Sequence, residues 1–149
     1  MLTDGQIIFR LILAVILSGL IGLERQLHRR TAGLRTHILV CLGSCLIMLT
    51  SLYVFDIYRE KAPLDPTRIA AGVITGIGFL GAGAIIRGGS GQEGVVGLTT
   101  AASLWMVAGI GLAVGCGFHT GAIFGAILTL VVLFFLRKIE GMMLGKEQK

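Results

Sequence analysis

The chain has 149 residues, 54% hydrophobic and 14% charged, with a formal net charge of +5 and a mean hydropathy of +0.88. Soluble domains carry about a quarter charged residues, so this composition excludes an ordinary soluble protein and leaves little chain for a separate catalytic module once membrane spans are subtracted. The basic surplus sits in loops and at the C-terminal end, where it reads as a topology signal rather than a nucleic-acid surface, and the three cysteines lie in or beside apolar runs, making no disulfide framework.

Five apolar stretches cover nearly the whole sequence: residues 7–23, 36–54, 69–86, 98–114 and 117–136. Each is close to the roughly 17–25 residues that a membrane-crossing helix needs. The expected fold is therefore all-α, a single transmembrane domain over residues 1–149 with about five transmembrane helices. The first stretch has neither the basic n-region nor the A-x-A-type site of a signal peptide, and it reads as a span. Lys and Arg orient the bundle: nine (Arg25, Arg29, Arg30, Arg35, Arg87, Arg137, Lys138, Lys146, Lys149) fall on one side and four (Arg10, Arg59, Lys61, Arg68) on the other. The positive-inside rule then predicts the N-terminus outside and the C-terminus in the cytoplasm.

In the second span His37, Cys41 and Cys45 recur at every fourth position and share a helix face. Thiolate and imidazole suit zinc or copper(I), whereas Mg²⁺ takes oxygen ligands, so the face reads as a packed stripe with an interfacial histidine. Pro63 and Pro66 fall in the loop between the second and third spans, where a missing amide donor harms no helix. The third span, RIAAGVITGIGFLGAGAII with Arg68 included, holds Gly72, Gly76, Gly78, Gly81 and Gly83. At about 100° per residue Gly72, Gly76 and Gly83 lie within roughly 40° of one another and Gly78 and Gly81 lie opposite. Small residues on two faces predict a central helix that neighbours approach closely. Gly76, Gly78 and Gly81 also spell GxGxxG, but a dinucleotide site needs a preceding strand and a helix N-terminus, and these glycines sit inside an apolar span.

Residues 87–97, RGGSGQEGVVG, read as a flexible link. Beyond it, Thr99 or Thr100 is expected to cap the fourth span, the other lining a polar cavity with Ser103, while Trp105 and Met106 fill core space. The fourth and fifth spans form a tight hairpin through Gly115, Cys116 and Gly117. Gly117, Gly121 and Gly125, spaced by four, predict a close-packing stripe on the fifth. His119, near its outer end, reads as interfacial.

Several of these segments together, GLERQ at 22–26, AGLRTHILVCLGS at 32–44, DPTRIAA at 65–71, TGIGFLGAGAIIR at 75–87 and GLTTAASLWMVAGIGLAVG at 97–115, resemble the MgtC/SapB family of bacterial membrane proteins. The resemblance spans nearly the whole chain. It implies a multi-pass protein of the bacterial inner membrane connected with magnesium homeostasis and survival when magnesium is scarce. Relatives in that family often continue into a soluble C-terminal domain of ACT-like type, and an activity housed there is not expected in these 149 residues. They also often carry glutamine where this chain has Gly72.

On the predicted topology these motifs converge at the cytoplasmic side. Glu24 and Arg25 end span one, Arg35, Thr36 and His37 begin span two, Gly76, Gly78, Gly81 and Gly83 lead to the end of span three, and Thr99, Thr100 and Ser103 begin span four. They form a candidate functional cluster, with Gly72, Gly117, Gly121 and Gly125 assigned to helix packing. Glu24 sits at a helix C-terminus, where the macrodipole disfavours an anion. Compensation is expected from Arg35 or from the N-termini of spans two and four.

No Asp, Glu, Lys or Arg occupies the middle of a span, no Ser/His/Asp set, HExxH or Walker motif is present, and no enzyme is expected. Two functions remain: passage of Mg²⁺ or another cation along Gly76 to Gly83 with Glu24 at the inner mouth, or regulation of another transporter or ATPase through helix contacts. No resident cofactor is expected, only Mg²⁺ as substrate or effector. The expected partners are the lipid bilayer, another membrane protein and a second copy in a homodimer, with no nucleic acid.

Overall fold

The computed structural model describes residues 2–61, 63–87 and 95–139. Lys146 and Lys149, two of the basic residues used for orientation, lie outside them. Among the described residues five helices are long and apolar enough to cross a membrane. They are α1 (Asp4–Leu27), α2 (Leu34–Tyr58), α3 (Thr67–Ala84), α4 (Leu98–Cys116) and α5 (His119–Val131), the last continuing as a π-helical turn, Val132–Leu136. The protein is an all-α, multi-pass membrane protein.

Local chemistry sets where the helices start and stop. Thr3 caps α1 in a capping box with Gln6, which begins the helix at Asp4. The Asp65 carboxylate accepts from both the backbone amide and the hydroxyl of Thr67, at 2.8 and 2.7 Å, and opens α3. These two bonds hold the Asp65 carboxyl below its ordinary range. Ser51 of α2 donates to the Pro66 carbonyl beside it. The helix α3 ends at Ala84 rather than Ile86 because Ile86 and Arg87 pair with Val96 and Val95 as a small antiparallel ladder, β1 (Ile86–Arg87) and β2 (Val95–Val96). The ends of the expected flexible link at 87–97 are thus paired, and 88–94 lie outside the described residues. Gly97 turns from the ladder into α4 with φ +97°, and a Cβ there would come within 2.0 Å of the Ala84 carbonyl oxygen. Between α4 and α5, Gly117 takes φ +91°.

The packing corrects the expected centre of the bundle. Half of the α4 span is buried, against 17% of α3. The α4 helix touches α1, α2, α3 and α5, whereas α3 packs principally on α4 and α2 at the periphery. The main core joins Ala14 and Ile21 of α1, Cys41 and Cys45 of α2, Val107 and Val114 of α4 and Ala122 of α5. Two glycines of α4 bring it there. A Cβ on Gly111 would stand 2.2 Å from the Cys41 carbonyl oxygen, and one on Gly115 would stand 2.7 Å from that of Cys45. At the opposite end from Glu24, the Arg10 guanidinium donates to the Gly115 carbonyl at 2.7 Å, placing a cation on the C-terminus of α4.

Candidate functional site

One end of the bundle gathers the C-termini of α1 and α5 and the N-termini of α2 and α4, and there the chain buries charge. Glu24 is 9% exposed and Arg25 2%. The Glu24 Oε2 atom accepts from Arg25 Nε at 2.5 Å. Its Oε1 atom lies 3.1 Å from His28 Nδ1 and 3.4 Å from Arg137 Nη1. An anion at a helix C-terminus needs positive neighbours, and Arg25 and Arg137 supply them. Arg35, the expected partner, is exposed and makes no ion pair among the described residues. The partner from afar is Arg137, 113 positions along the chain.

The π-helical turn explains how Arg137 arrives there. Such a turn holds about one more residue than an α-turn, rotating the residues beyond it by roughly 100° about the axis. Val132–Leu136 immediately precedes Arg137. On the α1 side the chain folds back tightly: Arg29 adopts φ +51°, and the Arg30 amide donates to the Arg25 carbonyl at 3.0 Å. Gln26 accepts from the Leu34 amide at 3.2 Å, fixing the start of α2. Gly22 admits α2, since a Cβ there would stand 2.8 Å from Leu34 Cα.

Behind the charges lies a polar relay between α2 and α4. His37 is fully buried rather than interfacial. Its Nδ1 faces the Gly33 carbonyl at 2.9 Å and its Nε2 faces Ser103 Oγ at 3.0 Å. Ser103 Oγ also lies 2.8 Å from the Thr100 carbonyl. A carbonyl only accepts, so the Nδ1–H form is fixed, and in the neutral ring Nε2 accepts from the Ser103 hydroxyl. A doubly protonated ring instead donates to Ser103, which then donates to the Thr100 carbonyl. With both ring nitrogens engaged, His37 is a connector of helices rather than a ligand for soft metal, and Cys41 and Cys45 are core residues.

The other candidate residues divide. Thr100 is buried beside Ser103, while Thr99 is exposed and faces a cavity with Arg25, Arg30 and Arg137. Neither caps α4: Gly97 holds that position, with no side-chain hydrogen bond. Thr36 lines a shallow cavity with Gly83 and Leu104. Gly81 meets the Ala101 Cβ at an ordinary 3.7 Å, and Gly76, Gly78 and Gly83 meet nothing within 4 Å. The α3 glycines therefore do not join the charged cluster: Gly76 lines an open groove of about 720 Å³ between α2 and α3, and no α3 glycine lines the cavity of Arg25, Arg30 and Arg137.

The packing assignments change too. A Cβ on Gly72 would meet nothing within 4 Å, Gly117 serves a turn against Arg10, and Gly121 lies under the Phe118 ring of its own turn. Only Gly125 of that set packs between helices, its Cβ position 3.4 Å from Met106 Cε. Trp105, expected in the core, is 54% exposed. His119 packs edge-on against Phe9, with ring centroids 5.4 Å apart. The residues missed by sequence reasoning are Gly22, Gln26, His28, Arg30, Gly111, Gly115 and Arg137. Gly22 and Gln26 lie inside the GLERQ motif, and Gly111 and Gly115 have the same four-residue spacing as the glycines of α5.

Five apolar helices with charge buried at one end define a polytopic α-helical membrane protein. A family model described as "MgtC family" matches residues 11–142, and the chain belongs to that family. It is 45% identical over 145 residues to the "Putative magnesium transporter YhiD" of Escherichia coli K12, covering 96% of this chain and 66% of the relative. It is 44% identical over 131 residues to "Protein MgtC" of Salmonella typhimurium 14028s, covering 88% and 52%. With "Protein SapB" of Bacillus subtilis it shares 38% identity over 136 residues, covering 89% and 57%. The chain thus spans between about half and two thirds of the length of these relatives. No solved structure matches it.

Proposed function

We propose that this protein acts in magnesium homeostasis in the bacterial inner membrane, as a regulatory membrane subunit that modulates another transporter or ATPase through helix contacts. The magnesium link rests on the names carried by relatives at 44–45% identity. The regulatory role rests on the electrostatics of Glu24. Among the described residues it is the buried carboxylate, and Arg25, His28 and Arg137 surround it. A divalent cation approaching Glu24 would find its carboxylate already paired with two guanidinium groups. At about 4 Å, like charges near a protein surface repel by several kcal/mol, so Glu24 is a poor inner mouth for Mg²⁺.

The second reading, passage of Mg²⁺, is favoured by one observation: the face of α3 that carries Gly72 and Gly76 borders an unfilled groove of about 720 Å³ against α2. One chain does not enclose that face, so a path there needs a second copy, as in the homodimer proposed from the same feature. The basic end, with Arg25, Arg30, Arg35 and Arg137, is assigned to the cytoplasm by the positive-inside rule, the N-terminus to the outside. The protein is assigned no enzymatic activity, no resident cofactor and no nucleic-acid partner. Mg²⁺ enters as effector in the first reading and as substrate in the second.

Liposomes loaded with a magnesium-sensitive dye separate the two. The regulatory reading expects no Mg²⁺ flux from purified protein that still restores growth of a deletion strain in low magnesium. Saturable, Mg²⁺-selective flux would overturn it.

A further inference from the structure

A cavity of about 200 Å³ opens at the basic end beside the Glu24 cluster, lined by Arg25, Arg30, Arg137, Thr99 and the π-helical turn. Three guanidinium groups line it, and Arg25 and Arg137 share the single carboxylate of Glu24, leaving a surplus of positive charge among the described residues. The uncapped N-terminus of α4 contributes further, because Thr99 is its second residue and no side chain satisfies its first amides. Each of these groups attracts an anion with phosphate chemistry.

A second cavity adjoins the first. It holds about 300 Å³ between α4 and α5, and its lining includes Ala102, Met106, Leu128 and Thr129. Thr99, Val132 and Leu133 line both cavities, so the two form one recess. Thr129 turns its hydroxyl to the Gly125 carbonyl at 2.6 Å, which leaves the upper part apolar. A polar compartment at the end of the spans, continuous with an apolar one running along them, matches a phospholipid: phosphodiester below, acyl chain above.

We propose that this recess is a binding site for one anionic phospholipid, with Arg30, Arg137 and the α4 N-terminus holding the headgroup and the α4–α5 groove holding an acyl chain. Charge complementarity selects an anionic lipid, since a zwitterionic headgroup brings its own ammonium into a site already crowded with cations. The lipid would brace Arg137 and Arg25 from the side opposite Glu24. Binding is a property of the chain irrespective of any ion movement.

Native mass spectrometry of the protein in maltoside micelles, given equimolar phosphatidylglycerol and phosphatidylcholine, tests this. Preferential retention of one phosphatidylglycerol per chain is expected. R30Q, at an exposed side chain, should weaken it about fivefold, since one basic residue contributes about that much at an anionic surface. K138Q carries the same charge change at an exposed residue outside the recess and should leave retention unchanged. Ala102→Phe keeps every arginine and fills the groove, and retention should be lost. Equal retention of both lipids overturns the proposal, as does an equal loss in R30Q and K138Q, which would indicate diffuse surface charge. Inorganic phosphate that binds equally to the wild type and to Ala102→Phe, with no lipid preference, would assign the cavity to a soluble anion and also overturn it.

Discussion

Helices α3 and α4 are both rich in glycine and use it in opposite ways. In α4, Gly111 and Gly115 face the backbone of α2, and a Cβ at either position would fall within 2.7 Å of a carbonyl oxygen. In α3, a Cβ at Gly72, Gly76, Gly78 or Gly83 would meet nothing within 4 Å, and Gly72 and Gly76 border an open groove against α2. Glycine in α4 is a requirement of the fold. In α3 it leaves room that this chain does not fill. Removing side chains lets another backbone approach, yet only the partner's position tells whether it has done so.

The sharpest way to break this contrast is Gly111→Ala. The added methyl would stand 2.2 Å from the Cys41 oxygen and 2.8 Å from Ser44 Cβ, and backbone cannot swing aside as a side-chain tip does. Overpacking of this kind costs about 3 kcal/mol, and a marked drop in thermal midpoint in detergent is the expected result. An unchanged midpoint would mean that α2 and α4 do not meet as closely as described.

A smaller effect is expected at the charged end from Glu24→Gln. The glutamine can still accept from Arg25, but it no longer offsets the charges of Arg25 and Arg137. Breaking a fully buried ion pair costs about 3–5 kcal/mol; here the end of the bundle is closer to water, and about 2 kcal/mol is expected. The variant should remain inserted and fail to support growth in low magnesium. Normal growth would detach the cluster from function.

Smaller still in stability, and larger in meaning, is the pair Gly76→Ala and Gly83→Ala. Each methyl would point into open space, and alanine favours a helix over glycine by up to about 1 kcal/mol. The midpoint in detergent should hold or rise. Growth in low magnesium should fall, because a methyl on that face obstructs whatever docks there. Retained growth with both substitutions would make the α3 face idle.

The five spans were legible because each is an apolar run of the right length; α1 and α2 run up to four residues past the expected ends, and other bounds moved where a local group intervened. Thr3 and Gln6 began α1 early, the β1–β2 ladder shortened α3, and the left-handed turn at Gly117 delayed α5 to His119. The convergence of Glu24, Arg25 and Thr99 at one end was legible as well, since alternating spans bring those termini to the same face. The centre of the bundle was not. The two helices have similar composition, and what distinguishes them is that Gly111 and Gly115 match Cys41 and Cys45 across the α2–α4 contact, a pairing between distant segments. Nor was the partner of Glu24 legible. Arg137 reaches it only because a π-helical turn rotates the end of α5, and the apolar run VLFFL gives no sign of that turn.

The smallest effect is expected outside the spans, at Asp65. Its carboxylate holds the first residue of α3 through the Thr67 hydroxyl and amide, and these bonds, the hydroxyl first, lower its pKa. A depressed carboxyl contributes stability above its unfolded value, near the usual 3.8, and that contribution disappears as pH falls through the lower folded value. The group is fully exposed, so solvent screening leaves little of it. Asp65→Asn should therefore lower the thermal midpoint slightly at neutral pH, with the difference from wild type closing below about pH 4. Asparagine can still accept a hydrogen bond, which separates charge from capping: a midpoint equal to wild type at every pH would assign the role to the cap alone. Because α3 packs mainly on α4 and α2, a loosened first turn should leave the charged cluster at the opposite end undisturbed. Growth in low magnesium is then expected to match wild type. If growth fails while the midpoint holds, the loop end of α3 belongs with the open glycine face as part of one docking surface, and the contrast between α3 and α4 extends along the whole length of the helix.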